Sequence, residues 1–123
     1  MKAANGTPSS SRVDWLEVRG KSVNLSWYSA YPEIDGWRTV PWLGRISVAL
    51  DPWVFHEHMS WIQVFEGQNG SFVIWDPEIG WTWTAEGWFP YLYSYGNTCW
   101  YYFLSGPSPR WFFNLNTGEW ELF

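Results

Sequence analysis

A chain of 123 residues holds one domain with a modest but real core. Its net charge of −5 is unevenly spread, at about +2 over residues 1–45 and about −7 over 46–123, so the larger half repels a phosphate backbone and argues against nucleic acid. Aromatic residues make up 23% of the chain, with 13 Trp, where a globular core is normally dominated by Leu, Ile and Val.

The start, Met1-Lys-Ala-Ala-Asn-Gly-Thr-Pro-Ser-Ser-Ser-Arg12, is polar and has no apolar signal core, so residues 1–12 read as a flexible tail. Residues 13–123 read as a single domain, and 13–23 is a candidate for one extra strand. No apolar run approaches the length of a membrane span. The single cysteine, Cys99, rules out an internal disulfide.

From residue 42 onward the chain repeats. Trp occurs at 42, 61, 81, 100 and 120, and a second aromatic lane runs through Trp53, Phe72, Tyr91 and Trp111. Two positions further on come Phe55, Ile74, Tyr93 and Phe113. Each unit has three apolar residues, four or five turn-forming ones, then Trp and another β-prone run. This pattern predicts a β-hairpin, since aromatic and β-branched runs favour pleated strands and Asn-Thr-Gly or Asp-Pro-Glu-Ile-Gly favours turns. Repeats are expected near 25–41, 52–65, 71–84, 90–103 and 110–123. The first is a degenerate copy with a longer turn, in which Pro32-Glu-Ile-Asp-Gly-Trp37 echoes Pro77-Glu-Ile-Gly-Trp81. No window shows a clean helical period.

The expected fold is therefore all-β, with tandem hairpins of about 19–20 residues stacked as a short solenoid or compact antiparallel hairpin stack. One hairpin is marginal alone, but an aromatic pair adds roughly 0.5–1.5 kcal/mol beyond its area burial, so stacked hairpins can stand on few aliphatics.

Chemistry-bearing clusters are sparse. His56 and His58 flank Glu57 and offer at most two metal ligands, with no evident third; they read as polar residues of a turn. Asp76 and Glu78 read as solvated turn acids, and Glu119 and Glu121 as the outer side of a terminal strand. No nucleophile motif or phosphate-cradling loop is present, so no enzyme, cofactor or metal site is expected. Asn5, Asn24 and Asn69 match the glycosylation pattern, although Asn69-Gly70 is more simply a turn.

At Gly96-Asn-Thr-Cys-Trp-Tyr-Tyr102 the chain resembles the aromatic hairpin repeats of bacterial choline- and glucan-binding cell-wall modules. Gly80-Trp81 and Gly87-Trp88 supply the Gly-Trp pairs of that pattern, while Trp-Tyr-Tyr itself occurs once. Pro52-Trp-Val-Phe-His56 and the last fifteen residues are similar to Trp-rich tails of secreted proteins from environmental bacteria, a likeness covering roughly 25–123. The resemblance implies a secreted or envelope setting and carries no defined activity.

A short hairpin stack cannot bury all its aromatics. Flat faces suit sugar rings, and aromatic cages suit quaternary ammonium groups. The expected function is a non-catalytic module binding glycan or another flat or cationic group, with Trp61, Trp81, Trp100 and Tyr102 as the ligand contacts. The alternative is a structural subunit whose aromatic face packs on a protein partner or on copies of itself. Grooves recurring with the hairpin period would favour the first, and one contiguous apolar patch the second.

Overall fold

A computed structural model describes residues 26–123 of the chain. The expected tail at 1–12 and the candidate strand at 13–23 lie outside the described residues. A single 3₁₀ turn, Trp27–Ala30, leads into eleven antiparallel strands. They are β1 Glu33–Ile34, β2 Trp37–Val40, β3 Gly44–Ser47, β4 Val54–His56, β5 Ser60–Glu66, β6 Ser71–Asp76, β7 Gly80–Ala85, β8 Tyr91–Ser94, β9 Cys99–Leu104, β10 Trp111–Asn114 and β11 Glu119–Leu122. They form one open sheet in strict sequence order. The all-β hairpin stack is thus present as a continuous meander with edges at β1 and β11.

The sheet curls around one face. Val40, Ile46, Val54, Ile62, Ile74, Leu92, Tyr101, Phe103 and Phe112 alternate inward along their strands and are buried. Distant parts of the chain meet there: Trp42, in the β2–β3 loop, stacks on Phe72 with ring centroids 4.7 Å apart. Phe89, between β7 and β8, reaches Trp42, His56 and Phe103.

Strand pairing resolves the repeat into five hairpins, β2–β3 through β10–β11, with β1 as an added edge. The degenerate first copy is not where string similarity suggests. Pro32-Glu-Ile-Asp-Gly-Trp37 forms the β1–β2 corner, a two-residue turn in which Asp35 and Gly36 both have positive φ, at 54° and 83°. The structural counterpart of Asp76-Pro-Glu-Ile-Gly80 is Val40-Pro-Trp-Leu-Gly44. The extra Asp35 moves the turn, so Glu33 and Ile34 lie in a strand while Glu78 and Ile79 lie in a loop.

Two aromatic lanes are also corrected. Phe72 and Ile74 face inward, and the counterparts of Trp53 and Phe55 in that hairpin are Val73 and Trp75. One slipped residue exchanges the two faces of a strand. Trp42 leaves the Trp lane because it is a loop residue; the lane position in the first hairpin belongs to Arg45.

Every hairpin turn after the first begins with a buried polar side chain that caps the turn from inside. His56 Nδ1 accepts from the N–H groups of His58 and Met59, both at 3.0 Å. Asp76 Oδ1 accepts from Glu78 and Ile79, Ser94 Oγ from Asn97, and Asn114 Oδ1 from Asn116 and Thr117. In the first hairpin Val40 has no such acceptor, and its own carbonyl takes the Leu43 N–H. Three-residue loops then resume the strand at positive φ on Ser60 and Gly80.

His56 also contacts the Leu43 carbonyl through Nε2 at 2.8 Å, which fixes the neutral tautomer with the proton on Nε2. Burial lowers its pKa below 6.5, outweighing the favourable Leu43 contact. The depressed folded value means that below about pH 6.5 the unfolded chain takes up this proton first. The stability His56 contributes is complete above that pH and is lost as pH falls through the folded pKa. Urea midpoints measured from pH 8 to pH 5 should decline, and His56→Asn, with the acceptor seen at Asn114, should flatten part of that decline.

Candidate functional site

Pairing registers build the outer face as a series of rungs. Ser47–Phe55–Trp61 lie opposite one another on β3, β4 and β5. Gln63–Trp75–Trp81, Trp83–Tyr93–Trp100 and Tyr102–Phe113–Trp120 repeat the arrangement on the strands that follow. Each rung ends in an edge-on or tilted aromatic pair: Phe55 on Trp61, Trp75 on Trp81, Tyr93 on Trp100 and Phe113 on Trp120, with centroids 5.0–5.4 Å apart. Such geometry suits the ring quadrupole and holds each Trp at a set angle. The first hairpin ends its rung in Arg45, whose guanidinium lies 4.8 Å from the Trp37 ring centroid.

The four sequence-predicted contact residues all lie on this face, but in successive rungs rather than in one cluster. Trp61 and Trp81 are exposed. Trp100 and Tyr102 are half-buried, Trp100 beneath a stacked Trp88 at 5.4 Å and Tyr102 beside Tyr91 at 5.1 Å.

Shallow grooves lie beside the rungs. One, of about 340 Å³, is lined by Leu50, Trp53, Trp61 and Pro77. Another, of about 450 Å³, is lined by Gly87, Trp88, Tyr91, Trp100 and Leu115. They are the same groove at equivalent places. Trp53 and Tyr91 each precede the rung aromatic by two residues, Leu50 and Trp88 precede these by three, and Pro77 and Leu115 each follow the capping residue of the next hairpin. A version at the first hairpin, of about 290 Å³, includes Ile34, Trp37 and Arg45. The hairpin between them has Gly70 and Val73 in two of the lining positions, too small to build that wall, and the exposed Tyr95 in the third. The Trp100 groove runs on through Tyr91 and Leu115 into a trough of about 500 Å³ that adds Tyr102, Phe113 and Trp120.

Beside Trp61 the lining turns polar, in a space of about 200 Å³ that includes Ser60, Asp76, Glu78 and Arg110. Asp76 is fully buried, contrary to its reading as a solvated turn acid. The Arg110 guanidinium pairs with both its carboxylate oxygens and donates to the Met59 carbonyl at 2.7 Å and, through Nε, toward the Phe123 carbonyl at 3.4 Å. One side chain thus ties together the turns of the second and third hairpins, β10 and the chain's last residue. The curl of the sheet brings Arg110 to Asp76, a pairing that sequence separation conceals.

Glu121 also departs from expectation. It faces inward, accepting from Tyr101 Oη at 2.9 Å and Asn114 Nδ2 at 2.8 Å, because Trp120 takes the outer face and strands alternate. Burial, reinforced by the bond to Glu121, raises the Tyr101 phenol above its usual range. His56, read as a turn residue, has both ring nitrogens committed to backbone groups. Among the described residues no three His, Cys, Asp or Glu side chains are grouped to hold a metal ion, and no helix is long and apolar enough to cross a membrane.

Fold and surface together define a class: an open antiparallel meander of hairpin repeats with aromatic grooves recurring on its outer face. No family model matches the chain, and no curated protein or solved structure is similar to it at a significant level.

Proposed function

We propose that this chain is a non-catalytic binding module of a bacterial envelope or secreted system, and that its outer aromatic face binds glycans. The observation that carries this reading is the recurrence of one groove, at equivalent positions, in the second and fourth hairpins. Both copies present flat rings at fixed angles, an arrangement suited to the apolar faces of sugars. The Trp88 groove has no carboxylate in its lining, which favours a neutral ring there over a quaternary ammonium group.

The test is a titration of intrinsic Trp fluorescence with neutral oligosaccharides and with choline. Saturable glycan binding is expected, weakened about tenfold by Trp88→Ala, which removes an exposed groove wall without opening the core. No response to any glycan at millimolar concentration would defeat the reading, and a choline response alone would redirect it to cations.

A second reading, docking or self-assembly, is favoured by the exposed row Leu104–Trp111–Leu122 beside the open β11 edge. Against edge-to-edge pairing, the two registers that overlap most and keep Trp120 and Leu122 on one face set carboxylates of Glu119 or Glu121 opposite each other. Sedimentation velocity across a concentration range separates the readings: a monomer throughout supports the ligand surface, and growth with concentration supports assembly.

A further inference from the structure

We infer that the ligand is a linear, uncharged polysaccharide that crosses the strands diagonally and occupies both repeat-equivalent grooves at once. This rests on the glycan reading and adds the form of the ligand. The registers make the case. Trp81 stands level with Gln63, two residues beyond Trp61, and Trp100 stands level with Trp83, two residues beyond Trp81. Each Trp is therefore displaced from the last by two strands across and two residues along, in the same direction. With strands about 4.8 Å apart and a rise of about 3.3 Å per residue, the step is about 12 Å and the distance from Trp61 to Trp100 about 23 Å along the sheet. A span of that length takes several sugar rings in a row and is out of reach of a mono- or disaccharide.

The middle of the track is open on one side. Gly70 and Val73 leave that side of Trp81 without a wall, while Tyr95, which follows the cap Ser94 and is 49% exposed, stands at the position of Pro77 and Leu115. Trp81 is 47% exposed and braced by Trp75 and Phe65. A chain leaving the Trp61 groove can therefore pass over Trp81 to the Trp100 groove along the side that Gly70 and Val73 leave free, with the Tyr95 ring flanking it on the other. Ser60 and Glu78 beside Trp61 supply a hydroxyl and a carboxylate for ring hydroxyls at the first end. The tyrosines at 91 and 102 line the trough at the other. The charge of about −7 carried by residues 46–123 opposes a polyanion, and the Trp100 groove has no carboxylate in its lining to hold a cationic ring, so the rings are assigned as neutral. Linking two weak sites through one polymer raises affinity without any new contact, provided the polymer spans both.

The experiment is calorimetric titration of the whole chain with neutral β-linked gluco-oligosaccharides of increasing length. Trisaccharides should bind weakly at two per chain. Beyond the length that bridges the grooves, stoichiometry should fall to one per chain with affinity at least 10-fold tighter. Leu50→Glu fills the first groove from an exposed loop position and should erase this gain while leaving trisaccharide binding at the Trp100 groove. Long oligomers that still bind two per chain at trisaccharide affinity would overturn the inference and leave the glycan module standing. Polygalacturonate binding as tightly as the neutral polymer would overturn the assignment of uncharged rings. Failure of both short and long oligomers would remove the glycan reading itself.

Discussion

Arg110→Ala should destabilise the protein by about 3–5 kcal/mol, read as a shift in the urea midpoint, because it strands a fully buried carboxylate. Asp76 would keep its two turn N–H donors but lose its only counter-charge among the described residues, and the Met59 carbonyl would lose its guanidinium donor. Since Arg110 joins two turns to the C-terminal hairpin, the loss should appear as a less cooperative transition as well as a lower midpoint. The paired variant Arg110→Met with Asp76→Asn separates charge from packing. Asn caps the equivalent turn at Asn114, so the double variant should recover most of the loss. A double variant as unstable as the single one would show that the guanidinium's bridging geometry, not the uncompensated charge, carries the stability.

Phe112→Ala should cost a similar amount, about 3–5 kcal/mol, by opening a cavity where aromatic rings replace aliphatics. Phe112 is fully buried, 5.0 Å from Phe103, 6.0 Å from Tyr101 and 5.3 Å from Phe123, and the Arg110 guanidinium carbon lies 5.5 Å from its ring centroid. Planar rings meeting edge-on cannot collapse into the space as flexible side chains would. Phe112→Leu keeps apolar volume and should recover about half the loss. Thermal melts of the two variants check the ordering, and a Phe112→Ala protein within about 1 kcal/mol of the parent would mean that the last hairpin is not part of the cooperative core.

Both features lie beneath the elements that carry the grooves. Arg110 anchors the turn beside Trp61, and the Phe112 cluster supports the hairpins that carry Trp100 and Trp120. Stability measurements and glycan titrations on the same variants would show whether curl and binding are coupled.

Several features were legible in the amino-acid order. The period of Trp61, Trp81, Trp100 and Trp120 marks the hairpins because each Trp ends a rung at the same distance past a turn, and the strand period of two carries that spacing to one face. Turn chemistry at Asn69-Gly70 is equally local: both residues have positive φ, at 56° and 74°. These features need only neighbours in sequence. Face assignment in the third hairpin was not legible, because Phe72 and Val73 both suit a strand and a slip of one residue exchanges inside for outside. The turn caps were hidden for a different reason. His56, Asp76, Ser94 and Asn114 share an acceptor and a position but no chemical identity, so nothing repeats in the letters.

The curl of the sheet belongs to the tertiary structure alone. It buries Asp76 against Arg110 across 34 positions and turns Trp42 inward onto Phe72. Each of these pairings lowers the energy of a buried group only once distant hairpins have met, and no local propensity encodes that meeting. The Glu121–Tyr101 bond needs less: neighbouring hairpins in register set the two residues on one face of β11 and β9, with Asn114 of β10 between them. The outer face is the complement of the curl: the rings that the concave side has no room to bury are left outside, in rungs and grooves whose spacing is set by strand register.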